Sequence, residues 1–371
     1  NLHADHLAGI IDRHNYSGGG SGRHKLDTGA VKNTPMISRP GLGLLSTGMQ
    51  QVADRPFAFS EWMALIPNQW TAEAAPIVAT YGMGLQGWDA SYAFAVDETG
   101  YTATVQSPHG VYNVTSPTQM ALYPALSAMV YRGDVQEGPV LATRKVHVPS
   151  LANGQLGFEE RVEQGYDDKF ITGSVPAEAL AAGRVPVEFT EAYQETEPLA
   201  LESFRAPESA VIASATGQLR WDYTGRGHFT INTEGTKALV GFAPGQTFDL
   251  GGWQLEVEND FAVVYLSSLQ PDKTLQQTDR VLVTAIGRAE NTGMEYTADG
   301  GQLLKKGEAP VRLEAIRIKL TPGRNELPVI KVLDHMGRPT GETVLVSSNE
   351  IRLDGRLHQT IYYLLEFPGE R

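Results

Sequence analysis

The feature that most restricts this chain is a change of pattern near residue 135 of its 371. Before that point, short apolar runs alternate with helix-like stretches; after it, the chain reads as strands and turns. Gly9-Ile10-Ile11-Asp12 is a β-branched run ending in the polar cluster Arg13-His14-Asn15-Tyr16, and the glycine-rich segment 17–22 follows. Leu42 to Val52 reads as a short helix. Arg55-Pro56-Phe57-Ala58-Phe59-Ser60-Glu61-Trp62 is a second strand that ends in polar chemistry. Thr71 to Tyr81 is alanine-rich and helical, blurred by Pro76, and Gly84-Leu85-Gln86-Gly87-Trp88-Asp89 reads as a third strand end. Ser116-Pro117-Thr118-Gln119 is a capping box with proline at the first helical position. Pro124 should kink the helix it opens, and Gly133 should close it. Strand and helix repeated in this order predict parallel β/α units with right-handed crossovers. In barrels built from such units the chemistry sits at the C-terminal ends of the strands.

Past residue 135 the pattern alternates with the period of a strand. His228-Phe229-Thr230-Ile231-Asn232 and Ala238-Leu239-Val240-Gly241-Phe242 flank Glu234-Gly235. Ile351-Arg352-Leu353 and Thr360-Ile361-Tyr362-Tyr363-Leu364 bracket Asp354-Gly355, a hairpin signal. Val281-Leu282-Val283-Thr284-Ala285 is a buried-strand run. Many short strands between glycine turns predict one or two antiparallel β-sandwiches. The expected fold is therefore α/β plus all-β: residues 1–135 a β/α unit, 136–210 linking strands and an irregular acidic subdomain, 211–371 a β-sandwich.

Charge and composition narrow the partners. A formal net charge of −13 repels phosphate backbones, so nucleic acid is not expected, and neutral sugars fit well. With 0 cysteines, disulfides and thiol chemistry are excluded. No apolar run approaches the roughly 18 residues of a membrane span, and no cofactor motif, P-loop or nucleophile elbow is present. His3-Ala4-Asp5-His6 has metal-ligand spacing but no further ligand cluster, so no metal is expected.

Chemistry concentrates at the strand ends. A glutamate on a loop is usually a solvent-facing charge. Glu61 ends an apolar strand, where a charge is costly unless it is bonded or used, and it is the candidate catalytic residue. His14 and Tyr16 end the preceding strand and can hold a carboxylate ionised and oriented. Trp88 offers an indole face to a sugar ring, although tryptophan is equally common in cores. Asp89, Trp62 and Asn15 are further candidates for gripping substrate.

These residues resemble the C-terminal portion of clan A glycoside hydrolases, the retaining (β/α)8-barrel enzymes of cellulase-like and β-galactosidase- or agarase-like type. His14-Asn15-Tyr16 looks like the His-x-Tyr pattern of the sixth strand, Ser60-Glu61-Trp62 like the nucleophile strand, and Trp88 like the sugar-stacking tryptophan of the eighth. The resemblance covers about residues 1–135 and implies that Glu61 is the nucleophile toward a β-linked poly- or oligosaccharide. It also marks a departure. The clan's acid/base lies on an Asn-Glu pair, no such pair precedes Glu61, and Asn349-Glu350 falls deep in the β-rich region. The retaining mechanism needs two carboxyl groups. The partner acid is therefore expected from a second polypeptide, from another piece of the same precursor, or from a longer protein of which this is part. A secreted or cell-surface prokaryotic protein, with a homo-oligomer possible, fits this expectation. The alternative is a non-catalytic carbohydrate-binding or structural subunit derived from such an enzyme.

Overall fold

A three-stranded sheet occupies the start of the chain in the computed structural model, which describes all residues except 97–98, 109, 155–159, 166–168, 198, 206–208 and 369–371. Phe57–Leu65 is its central strand, with Ile11–Gly18 on one side and Ala90–Ala93 on the other, both parallel to it. Ile11, Phe57 and Phe59 are completely buried, so the apolar runs read from the sequence are the inward faces of these strands.

The crossover between the central and third strands is helical throughout, from turns at Thr71–Glu73 through Ala74–Ile77 into the wide π-turns of Val78–Leu85. This corrects the sequence reading: 84–89 is a helix end rather than a strand end, and the strand starts at Ala90. Two glycines of this crossover serve close packing. A Cβ on Gly82 would lie 2.5 Å from the Trp88 ring, and one on Gly84 would lie 2.7 Å from Val135.

Other local expectations also shift. The Leu42–Val52 stretch forms 3-10 turns over Gly43–Gln50. Ser116 Oγ lies 3.1 Å from Thr118 Oγ1 and caps no backbone N–H, so the capping box is not made. Pro124 does not kink a continuous helix. The chain breaks after Pro117–Met120 and restarts as Tyr123–Arg132 with Pro124 in its first turn, where the missing N–H costs nothing. Gly133 does close that helix, with φ 64°.

The rest of the chain is rich in antiparallel strands. Nine strands form one antiparallel sheet that runs from Val211–Ala213 at one edge to Pro339–Val344 at the other. One face, with Val264, Leu266, Val283 and Leu365, packs on Trp253, Leu255, Leu320 and Leu353 of a four-stranded sheet. The opposite face, with Phe229, Val240, Val263 and Tyr265, packs toward Tyr81, Leu126 and Met129 of the helices. Burial on both faces explains why every residue of Thr236–Gly241 and of Ala262–Ser268 is buried. The Glu234-Gly235 turn joins its two strands as expected. Asp354-Gly355 does not. The Asp354 carboxylate accepts from Arg356 N–H at 2.8 Å and caps the single turn Gly355–His358, which carries the chain from the small sheet to the large one.

Arg132 and Asp134 weld the two regions. They pair at 2.5 Å and are nearly buried. Arg132 also donates to the Ser268 carbonyl, and Thr236 Oγ1 donates to Asp134. The segment expected to be a linking subdomain returns to the first core, where Leu180, Val185 and Val187 join Ile11 and Phe57. Its hairpin, Glu160–Gln164 with Lys169–Gly173, lies beside the first strand. Among the described residues no helix is long and apolar enough to cross a membrane.

Candidate active site

Strand register brings the first three candidates together. Arg13 lies opposite Phe59 but His14 lies opposite Glu61, because Ser60 is skipped. A slip of one residue exchanges the two faces of a strand. Here it turns Glu61 to the face that His14 and Tyr16 share through their two-residue spacing. Tyr16 Oη donates to Glu61 Oε2 at 2.7 Å, and His14 Nδ1 stands 3.3 Å from the same oxygen. Oε1 has no protein partner among the described residues. The carboxylate is thus gripped by one oxygen and open by the other, with 34% of the Glu61 side chain exposed.

The carboxylate opens into a cleft of about 440 Å³, lined also by His24, Phe94, Tyr112, Gln164 and Lys169. One wall is aromatic. The Tyr16 ring meets Tyr112 edge-on at 5.2 Å and Phe94 at 6.5 Å, and Phe94 meets Tyr112 at 5.4 Å. His24 Nδ1 lies 2.7 Å from Tyr112 Oη, which holds that ring in place. The other wall is polar and comes from the 160–173 hairpin. Glu61 is the one carboxylate among the described residues that line the cleft. A carboxylate oriented beside aromatic faces can act as a nucleophile, as a base, or as a stabiliser of positive charge.

The remaining candidates lie elsewhere. Asn15 is 1% exposed and faces no cleft. Its amide donates to Thr47 Oγ1 and to the carbonyls of Gly43 and Lys169, and its Oδ1 accepts from the N–H groups of Tyr16 and Lys169. It builds the site without touching its contents. Trp62 is buried on the opposite face of the strand, with its indole N–H on Ser91 Oγ at 2.8 Å. Trp88 is 2% exposed and wedged against Phe57 and Phe59, each at 5.2 Å. Its ring therefore has no free face for a sugar. Asp89 accepts from the Phe57 N–H at 2.8 Å, four residues and about 13 Å of strand from Glu61. It lines a separate hollow with Arg55 and Arg184. Trp88 and Asp89 begin a strand instead of ending one, which puts them at the wrong end of the sheet. His6 bonds Asp54 and Asp5 pairs with Arg13, so two of the three polar groups of the His3-Ala4-Asp5-His6 stretch are used in ordinary contacts.

Five lining residues escaped the sequence reading. Phe94 follows the true third strand directly, so correct placement of that strand would have exposed it. His24 and Tyr112 sit in loops with no periodic signal. Gln164 and Lys169 arrive from more than a hundred residues away. No protein-family model matches the chain, and neither a curated protein nor a solved structure matches it at a significant level.

Proposed function

We propose that this chain carries the nucleophile half of a retaining glycoside hydrolase site acting on β-linked glycans, with Glu61 as the attacking group. The observation that carries the reading is the geometry of one carboxylate: Oε2 held by Tyr16 and His14, Oε1 open to an aromatic-walled cleft. In this mechanism Glu61 attacks the anomeric carbon as the glycosidic C–O bond breaks, and the leaving oxygen takes a proton from a second carboxylic acid. Water, deprotonated by that same group, then releases the sugar from the glycosyl-enzyme. Tyr16 keeps the nucleophile aimed, and the rings of Phe94 and Tyr112 offer apolar area to a sugar face.

The second acid is assigned to sequence outside this chain, a second polypeptide, another piece of the same precursor or the rest of a longer protein, that completes the parallel sheet as a (β/α)8 barrel. Supporting this, the outer strands Ile11–Gly18 and Ala90–Ala93 have no strand beyond them among the described residues. Tyr92, Phe94 and Val96 along one edge, and Leu7 and Ile10 near the other, are exposed. The second reading, a binding module without turnover, is favoured by the single carboxylate in the cleft. Glu61→Gln in the complete assembly, assayed on a panel of β-linked glycans, separates the two. The nucleophile reading expects hydrolysis to fall by at least about a thousandfold. Undiminished hydrolysis removes Glu61 from the mechanism, and binding with no turnover by the native protein supports the module.

A further inference from the structure

Lys169 is built into the cleft in a way that no packing need explains. Its backbone is clamped at both ends by one side chain: its N–H donates to Asn15 Oδ1 at 2.8 Å, and its carbonyl accepts from Asn15 Nδ2 at 3.1 Å. Asn15 is itself buried and fixed by Thr47 Oγ1 at 2.9 Å. The clamp ties the hairpin to the very strand that carries His14 and Tyr16. A second anchor holds the start of the same hairpin, where the buried Arg144 donates to Glu160 at 2.9 Å.

The ammonium that this scaffold presents is under-used. Among the described residues its one hydrogen bond is a long one to the His14 carbonyl, 3.4 Å, and no ion pair holds it. Several lysines elsewhere pair with carboxylates, as Lys145 with Glu188, Lys305 with Glu295 and Lys331 with Glu366. Lys169 stands in the cleft wall next to His14, and Glu61, the one lining carboxylate, already gives an oxygen to Tyr16 and His14. Asp167 and Asp168 precede it in the sequence and lie outside the described residues.

An ammonium on an anchored backbone in a binding cleft, with no ion pair among the described residues, is a receptor for negative charge. We propose that the site selects glycans carrying an anionic substituent, a sulfate ester or a carboxylate, and that Lys169 is the residue that selects them. The inference rests on the glycan-binding reading of the cleft. It runs against the chain's net charge of −13, which on its own favours neutral sugars. A local cation prevails because charges farther away than about 8 Å are largely screened at physiological ionic strength.

The test is a binding measurement in the Glu61→Gln background, on the complete protein, so that turnover does not consume the ligand. Three matched β-linked oligosaccharide sets are titrated: neutral, sulfated and uronate-bearing. The expected result is at least a tenfold tighter Kd for one anionic set over the neutral set, and a preference that shrinks as salt is raised. Lys169→Gln should bring that ratio close to one, and Lys169→Arg should retain most of it. The sulfated and uronate arms tell which anion is read. Equal affinity for neutral and anionic sets, a preference that survives Lys169→Gln, or binding of none of the three sets overturns the proposal. These outcomes are independent of the nucleophile assignment, which fails only if Glu61→Gln hydrolyses at the native rate.

Discussion

At the scale of single residues, the site depends on one hydroxyl. Tyr16 is 7% exposed, and its ring packs in a cluster with Met63, Leu65 and Tyr112, so the ring and the hydroxyl do separate work. Tyr16→Phe keeps the ring and deletes the 2.7 Å bond to Glu61. A hydrogen bond to a charged group is worth about 1.5–3 kcal/mol, which corresponds to roughly a ten- to hundredfold loss of kcat. The thermal midpoint should move little. A Tyr16→Phe protein with native kcat would mean that the bond does not position the nucleophile; one that loses its fold would mean that the hydroxyl is structural. His14 is a weaker support by geometry, at 3.3 Å and with 46% of its side chain exposed.

At the scale of elements, the core beneath the site holds a buried acid. Glu73, in the turn Thr71–Glu73, is 1% exposed. It accepts from Met36 N–H at 2.6 Å and from Ile37 N–H at 3.2 Å, pinning the Met36–Ser38 turn to the helical crossover. Burial outweighs those two bonds and raises its pKa from 4.5 to about 8. The sign follows from linkage. The folded state holds this proton more tightly than the unfolded chain does, so the contribution of Glu73 to stability is complete below about pH 4.5 and is lost as pH rises toward 8. The loss is on the order of a few kcal/mol. Urea unfolding at pH 5 and pH 8 should show the native chain losing stability relative to Glu73→Gln; parallel pH curves for the two proteins refute the assignment. Elements also decide what could be read without a structure. Glu61, His14 and Tyr16 were legible because each follows a short apolar run, although the strands continue past them, to Leu65 and Gly18, so Glu61 sits within its strand and not at its end. The skipped Ser60 that turns Glu61 toward the other two leaves no such trace. Trp88 and Asp89 were misplaced because the run from Gly84 reads as a strand end, whereas Gly82 and Gly84 pack closely in the helical crossover against Trp88 and Val135. Lys169 was invisible because its place is set by Asn15, a contact across 154 residues.

At the scale of the whole molecule, the layers are unequally finished. The nine-stranded sheet is covered on both faces, by helices on one side and by the four-stranded sheet on the other. The parallel sheet ends abruptly. Tyr92 is 63% and Val96 65% exposed beside the outer strand Ala90–Ala93, and Leu7 is 73% exposed near the opposite edge. Unpaired strand edges flanked by apolar side chains template association, and in parallel β/α folds such edges are normally covered. The antiparallel layers were legible from alternating apolar and polar residues, whereas nothing in the sequence marks Tyr92 and Val96 as exposed edge residues. If a partner completes the sheet, the isolated chain should self-associate at tens of micromolar and run as a broad, concentration-dependent species in size-exclusion chromatography with light scattering. The double variant Tyr92→Ser and Val96→Ser should sharpen that species toward a monomer without changing its circular dichroism, because neither side chain contributes to a core. The same double variant should weaken co-purification of the native complex. A wild-type chain that stays monomeric at those concentrations, and purifies alone from its native source, would remove a second polypeptide as the source of the second acid.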